Sequence, residues 1–554
     1  MKIFRQVFWV LVLAGAFVFL GGIGLGYSAN RAPVGPLLDG LGDLKFPVTT
    51  ESALAQRYFN QGLTLCYAFN HQEAIRSFQS AANLDPDCAM AYWGKAYAFG
   101  PHVNKPMDAA ANKEAWMALQ GALARMPKAG AKEQALISAL SERYRPEFQE
   151  ERGDLDKAYA NAMRKVAQQY PDDLDIQVMF AEALMDTMPW DYWLDDRSPK
   201  PDTEEAIGAL RFVMARDPNH PGANHLYIHA VEAGPNPQSG LAAADRLLNY
   251  APSAGHLVHM PSHIYMRVGL YTEAVEANEK AVKADQDYLR QTRLQGFYPG
   301  MYYPHNIHFL WWAQLYEGRS QEASKTAQQA ARYAVDNYCG PIQVVEAPRF
   351  RHLPWLTQMR FGQTEDLMKV PQPPATNDLL LDRAVWHFTR GVSFAAEDQL
   401  DNASNEQQAL REIATGEVIK ELDNPLLPVS SIVAIADHWL AARVAELEGD
   451  EERMRREFER AIAIEDGMPY MEPAYWPIHV RPAYGAALLR TGQPAGAEKI
   501  FREDLSRMPR NGWGLYGLEH ALRAQNRIDS ADAVHRQFEQ TWKNADTELE
   551  LRWF

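Results

Sequence analysis

From Ser52 to the C-terminus, apolar residues recur three and four positions apart, the spacing of one buried face on an α-helix. These runs are separated by short stretches rich in Pro, Gly, Asn and Asp. No stretch alternates apolar and polar residues as a half-buried strand would, so the pattern predicts helices joined by turns and no sheet. A second periodicity lies over the first. Gly62, Ala74, Phe78, Ala81 and Pro86 place a small residue, a small residue, a bulky ring, a small residue and a helix-ending proline at fixed offsets. Small residues let two helices approach closely, and proline stops the second helix before the next begins.

The same offsets return along the chain. Ala206, Leu210, Val213 and Pro218 repeat them, and Pro252 lies 34 residues after Pro218. Ala274 with Ala281, then Ala323, Ala327 and Ala330 after an insertion, continue the block. Gly485, Ala497, Phe501, Leu505 and Pro509 renew it near the C-terminus, with weaker units around 391–403 and 442–461. A helical pair repeating every 34 residues resembles the tetratricopeptide repeat superfamily, and in particular its long, exported bacterial members. That resemblance implies an all-α, right-handed solenoid of about ten helical pairs. It also implies that positions 2, 5, 9 and 12 of each unit's first helix line a concave groove.

Histidines make those positions the chemical focus of the chain. Eight of the 16 histidines lie between His220 and His308. His225, His229 and Glu232 take unit positions 5, 9 and 12; His256, His259 and His263 take 2, 5 and 9 of the next unit. His305 and His308 take 2 and 5 of the unit after the insertion. Spacings of three and four put such residues on one helical face. Neighbouring helices pack about 8–10 Å apart, so imidazoles from successive helices can meet. Imidazole is the commonest neutral metal ligand and suits Zn, Cu and Fe. His225, His229, His256, His259, His263, His305 and His308 are therefore candidate metal ligands, with Glu232 as ligand or catalytic base. Seven imidazoles exceed one coordination sphere, which leaves room for two ions or for partners that orient the ligands. Glu182 and Asp186, one unit earlier, are further acids of that kind. Two metal-free readings stand beside this one: a groove that binds a peptide or an acidic or aromatic ligand, and histidines that only hydrogen-bond between helices.

Charge removes one class of partner. With 71 acids against 55 bases, the net charge of −16 argues against a nucleic-acid partner, which needs a basic footprint. Phosphate-loop, dinucleotide, nucleophile-elbow and c-type haem motifs are absent from the sequence. Cys66, Cys88 and Cys339 are too few for a disulfide framework and read as buried thiols. Lys2 and Arg5 precede an uncharged stretch, Gln6 to Asn30, that has the form of a secretory signal or an uncleaved membrane anchor. The expectation is an exported, periplasmic protein tethered at the inner membrane.

The organisation expected is therefore a signal or anchor over 1–30, a Pro- and Gly-rich linker over 31–50, N-terminal repeats over 51–170, the histidine-bearing repeats over 171–340 and C-terminal repeats over 341–554. Two aromatic insertions accompany the histidine units: Met188–Trp193, just before them, reads either as a lid over the groove or as a plug at the end of the helix pair, and Phe297–Pro304, leading into His305, is expected to help close a pocket. His102, in a unit broken early by Pro101, lies within possible reach of the same site.

Overall fold

The computed structural model describes residues 32–554, apart from 195, 338–341, 343, 345, 425 and 426. The N-terminal export segment and Cys339 lie outside the described residues. Among those described, the chain is an array of α-helices with no sheet, only three isolated bridges. None of its helices is long and apolar enough to cross a membrane. Consecutive helices pack as antiparallel pairs of tetratricopeptide type: Ala53–Tyr67 with His71–Leu84, Leu174–Met185 with Pro201–Arg216, Val480–Arg490 with Pro494–Arg507.

The repeat offsets have a steric cause. A Cβ added at Gly62 would lie 2.7 Å from the Phe78 ring, and one added at Gly94, in the next unit, 2.4 Å from the same ring. Gly485 and Gly517 hold Phe501 in the same way, at 2.7 and 2.1 Å. Each bulky ring thus wedges between two helix backbones that only glycine lets come so close. Alanine at Gly62 would gain about 1 kcal/mol of helix propensity against its clash. Valine adds more bulk with no such gain, and overpacking of this kind costs about 1–3 kcal/mol. Gly62→Val is expected to lower the urea midpoint accordingly; an unchanged midpoint would show that the wedge is not needed.

Residues 32–50 are non-helical, as a Pro- and Gly-rich stretch should be, yet they are not a free linker. Phe46 is buried against Phe59, the Leu38 N–H donates to Gln61 Oε1 at 2.7 Å, and Ser253 N–H donates to the Gly40 carbonyl at 3.0 Å. Cys66 and Cys88 are separate buried thiols, and burial pushes the Cys88 thiol up to about 11.

The C-terminal repeats fold back onto the central ones. Trp312 Nε1 donates to the Pro477 carbonyl at 3.1 Å, Tyr271 Oη to that of Pro509 at 2.9 Å, and Arg510 to that of Val268 at 3.0 Å. This return carries the loop 468–479 across the histidine-bearing helices.

Candidate metal centre

The helices Pro221–Glu232, Gly255–His259, Pro261–Val268 and Phe297–Glu317 carry the histidines. Pro221 starts the first at the position where a missing N–H does no harm, and His220 caps it by accepting from Ala223 N–H. His220 is therefore a capping residue. The second insertion, Phe297–Pro304, is the first two turns of helix Phe297–Glu317, with Pro304 inside it.

His225, His229 and His256 form one group, with one ligand nitrogen from each within 4.8 Å of the others. All three are essentially fully buried. The His225 Nδ1–H donates to the Tyr67 carbonyl at 2.6 Å, and His229 Nδ1–H donates to Glu232 Oε1 at 2.7 Å. Their Nε2 atoms, and both ring nitrogens of His256, are buried without a hydrogen-bond partner among the described residues. A ring whose Nδ1 is held by a carbonyl or carboxylate, with Nε2 left bare, is the arrangement of a metal-ligating histidine. Buried polar atoms are otherwise nearly always paired, because leaving one unpaired costs about 1–3 kcal/mol.

His259, His263 and His305 form a second group, with one ligand nitrogen from each within 4.8 Å of the others. His259 Nδ1–H donates to Asn278 Oδ1 at 2.6 Å; the Asn278 amide nitrogen is committed to the Ala274 carbonyl at 2.7 Å, which fixes the amide's orientation. His263 Nδ1–H donates to Glu232 Oε2 at 2.5 Å. His259 Nε2 and His263 Nε2 then face each other at 2.8 Å. The two groups touch through ring pairs His229–His263 and His256–His259, at centroid separations of 5.8 and 5.9 Å.

Two sequence assignments change at this point. Glu232 has one oxygen on His229 and the other on His263, and these imidazoles hold its carboxyl far below the usual carboxylate range against the effect of burial. With both oxygens engaged, Glu232 braces the two groups, and with His263 and Glu472 it forms a third set of atoms that could hold an ion. His308 is buried but belongs to neither group; its ring packs on Trp311 and Phe350 at 5.6 and 5.0 Å. Glu182 and Asp186 are also committed elsewhere, Glu182 to Tyr97 and Asp186 to Arg143 at 2.6 Å.

Other participants had no visible signal in the histidine count. Glu472 and Tyr470 arrive on the returning loop. Glu472 lies 3.5 Å from His263 Nδ1, shares a group with Glu232 and His263, and accepts from Tyr470 Oη. Burial, and then the Glu232 charge, push the Glu472 carboxyl up to about 8. Phe69 sits at φ 55°, a backbone region aromatic residues seldom occupy, and its ring lies 4.4 Å from that of His225 and 5.4 Å from that of His256. Trp190 is likewise at φ 63° and stands edge-on to His229 at 5.1 Å.

Above the histidines opens a cavity of about 890 Å³. His229, His256, His263 and His305 reach its floor, and Trp190, Phe297, Tyr302, Met471 and Tyr475 contribute to its walls. Both expected aromatic insertions thus line it. His102 does too, with its ring stacked on His71 at 4.2 Å.

Burial lowers the basicity of His225, His229, His256, His259 and His305, so they are neutral and ligand-competent at pH 7. His71 is held at about 4 by the same cause. A lowered folded value gives stability that is complete above the unfolded pKa, near 6.5, and is lost as pH falls. His263 runs the other way: Glu232 raises it, so its contribution is complete in acid and fades as pH rises. The lowered group is larger. At pH 5 each imidazole held well below its ordinary value withholds about 2 kcal/mol. Metal-stripped protein is expected to lose thermal stability steeply between pH 7 and pH 5, by tens of degrees or by outright unfolding. A flat profile over that interval would mean that these rings are not buried as neutral imidazoles.

The chain matches no protein-family model and no curated protein at a significant level. Its fold is similar at low identity to human IFIT1 solved as a dimer with m7Gppp-AAAA, with 11% identity over 89% of this chain and 91% of that one and a TM-score of 0.30. It is also similar to yeast Tom70, with 12% identity over 88% and 92% and a TM-score of 0.30. For Ypp1 the values are 10% over 92% and 68%, with a TM-score of 0.35.

Proposed function

We propose that this chain is an exported helical-repeat protein that holds a transition metal ion on His225, His229 and His256, at the floor of a cavity that admits a small organic ligand. The observation that carries this reading is the set of bare, fully buried ring nitrogens on those three residues, two of them aimed by a partner on the opposite side of the ring. A neutral three-imidazole set leaves coordination positions open, as reactive metal sites require. The alternative, a groove read by an extended peptide, fits less well. Peptide-binding side chains must be exposed, and these histidines are not. Location in the cell envelope belongs to the same proposal and rests on Lys2, Arg5 and the apolar stretch behind them.

One experiment covers both parts. The untagged chain is purified from fractionated cells of its native host and submitted to plasma mass spectrometry. Recovery from the envelope fraction with at least one equivalent of Zn, Cu or Fe is expected. Metal-free protein that also refuses added metal would reject the metal centre, and recovery from the cytosol would reject export.

A further inference from the structure

The second histidine group is built as carefully as the first, and its donor–acceptor accounting closes only with a positive charge, which a proton on His263 or a metal ion can supply. His259 Nδ1 must carry hydrogen, because it faces Asn278 Oδ1 at 2.6 Å and the amide cannot be reversed while its nitrogen serves Ala274. His263 Nδ1 must carry hydrogen too, because it faces a carboxylate oxygen at 2.5 Å. In neutral rings both Nε2 atoms are then bare lone pairs, and they point at each other across 2.8 Å. Two lone pairs in that position repel unless a positive charge lies between or beside them. Two nitrogens bound at right angles to one ion at about 2.0–2.1 Å would themselves be about 2.9 Å apart. His305 supplies a third nitrogen to the same group.

We infer that His259, His263 and His305 hold a second transition-metal ion beside the first. This rests on the metal reading above and extends it to a dinuclear centre. Glu232 is the element that makes the two sites one unit, since its two oxygens orient one ligand of each. The ring contacts between the groups leave no protein layer between the sites. Imidazole is a good ligand for copper, which serves here as the probe.

The test is an anaerobic titration of the metal-stripped full chain with cuprous acetonitrile complex against a chromogenic chelator. Ferricyanide then removes one electron from each copper, and electron paramagnetic resonance follows. The wild type is expected to take two copper ions per chain and, after oxidation, to show a half-field transition, which arises only from spin pairs a few ångströms apart. His259→Ala/His305→Ala and His225→Ala/His256→Ala are each expected to retain one copper and to lose the half-field signal. His305→Ala alone, at a partly exposed position, provides a variant with little risk to folding and should show the same loss. One copper in the wild type, with the His259/His305 variant unchanged, overturns the second site and leaves the first intact. Two coppers without a half-field transition overturn the pairing. No uptake of any metal sinks the reading beneath all of this.

Discussion

Replacing His229 and His256 together with alanine is expected to abolish metal binding at the first histidine group, lowering affinity there by at least about a thousandfold. The size follows from the number of ligands lost. Protein zinc sites bind with about 10–16 kcal/mol at neutral pH when all ligands are in place. A site reduced from three nitrogens to one loses several kcal/mol, and each 1.4 kcal/mol is about tenfold. His225 alone, though still aimed by the Tyr67 carbonyl, is then no better than a surface histidine. The variant also reports on itself. His256 has neither ring nitrogen engaged and His229 only one, so few hydrogen bonds are lost with them. What folding loses is mainly packing, around Phe69, Trp190 and Tyr302. An equilibrium competition titration beside a circular-dichroism melt separates the two effects. A cooperative melt with metal affinity within tenfold of wild type would show that these nitrogens are not ligands.

How much of this was readable in the chain depends on whether the information is local. The wedge of Phe78 between Gly62 and Gly94 is a short-range pattern that recurs at Phe501, so the helical pairs could be read directly. The two histidine groups follow from helical spacing plus the 34-residue repeat, and the structure brings six of the seven candidates together. His308 fell outside because position 5 of its unit points at Trp311 and Phe350 rather than along the stripe. The chemistry of Glu232 was not legible. Spacing shows that it shares a face with His229, but the second partner, His263, takes its other oxygen from a different helix, and only that contact changes a candidate base into a brace. Glu472 lies 240 residues from Glu232 and reaches the site through the return of the C-terminal repeats, which repeat counting cannot foresee. Phe69 needed its backbone angle, since a left-handed aromatic residue has no sequence signature, whereas Trp190 was legible as part of the Met188–Trp193 insertion.

Glu232→Gln should weaken both metal sites at once, because an amide cannot do what this carboxylate does. Its two oxygens accept from His229 Nδ1–H and His263 Nδ1–H. Glutamine offers one acceptor and one donor in the same space, so one of the two histidines must face an N–H. That ring can only turn away or carry its hydrogen on Nε2, the atom that would bind the ion. Loss of such an orienting partner typically lowers metal affinity about 10–100-fold, and here one substitution reaches both groups. The apo protein is affected as well, with a definite sign. Glu232 has a depressed carboxyl, so its contribution is complete above the unfolded value near 4.3 and is lost only in acid. The glutamine variant therefore lacks that contribution at pH 7, where the wild type retains it in full. His263, raised by the same carboxylate, should fall below its ordinary value near 6.5 once the charge is gone, and imidazole NMR of the stripped protein reads that change directly. Weakened metal binding together with a lowered His263 titration establishes the brace. Unchanged affinity at both sites, with only a reaction rate reduced, would return Glu232 to the role of a catalytic base.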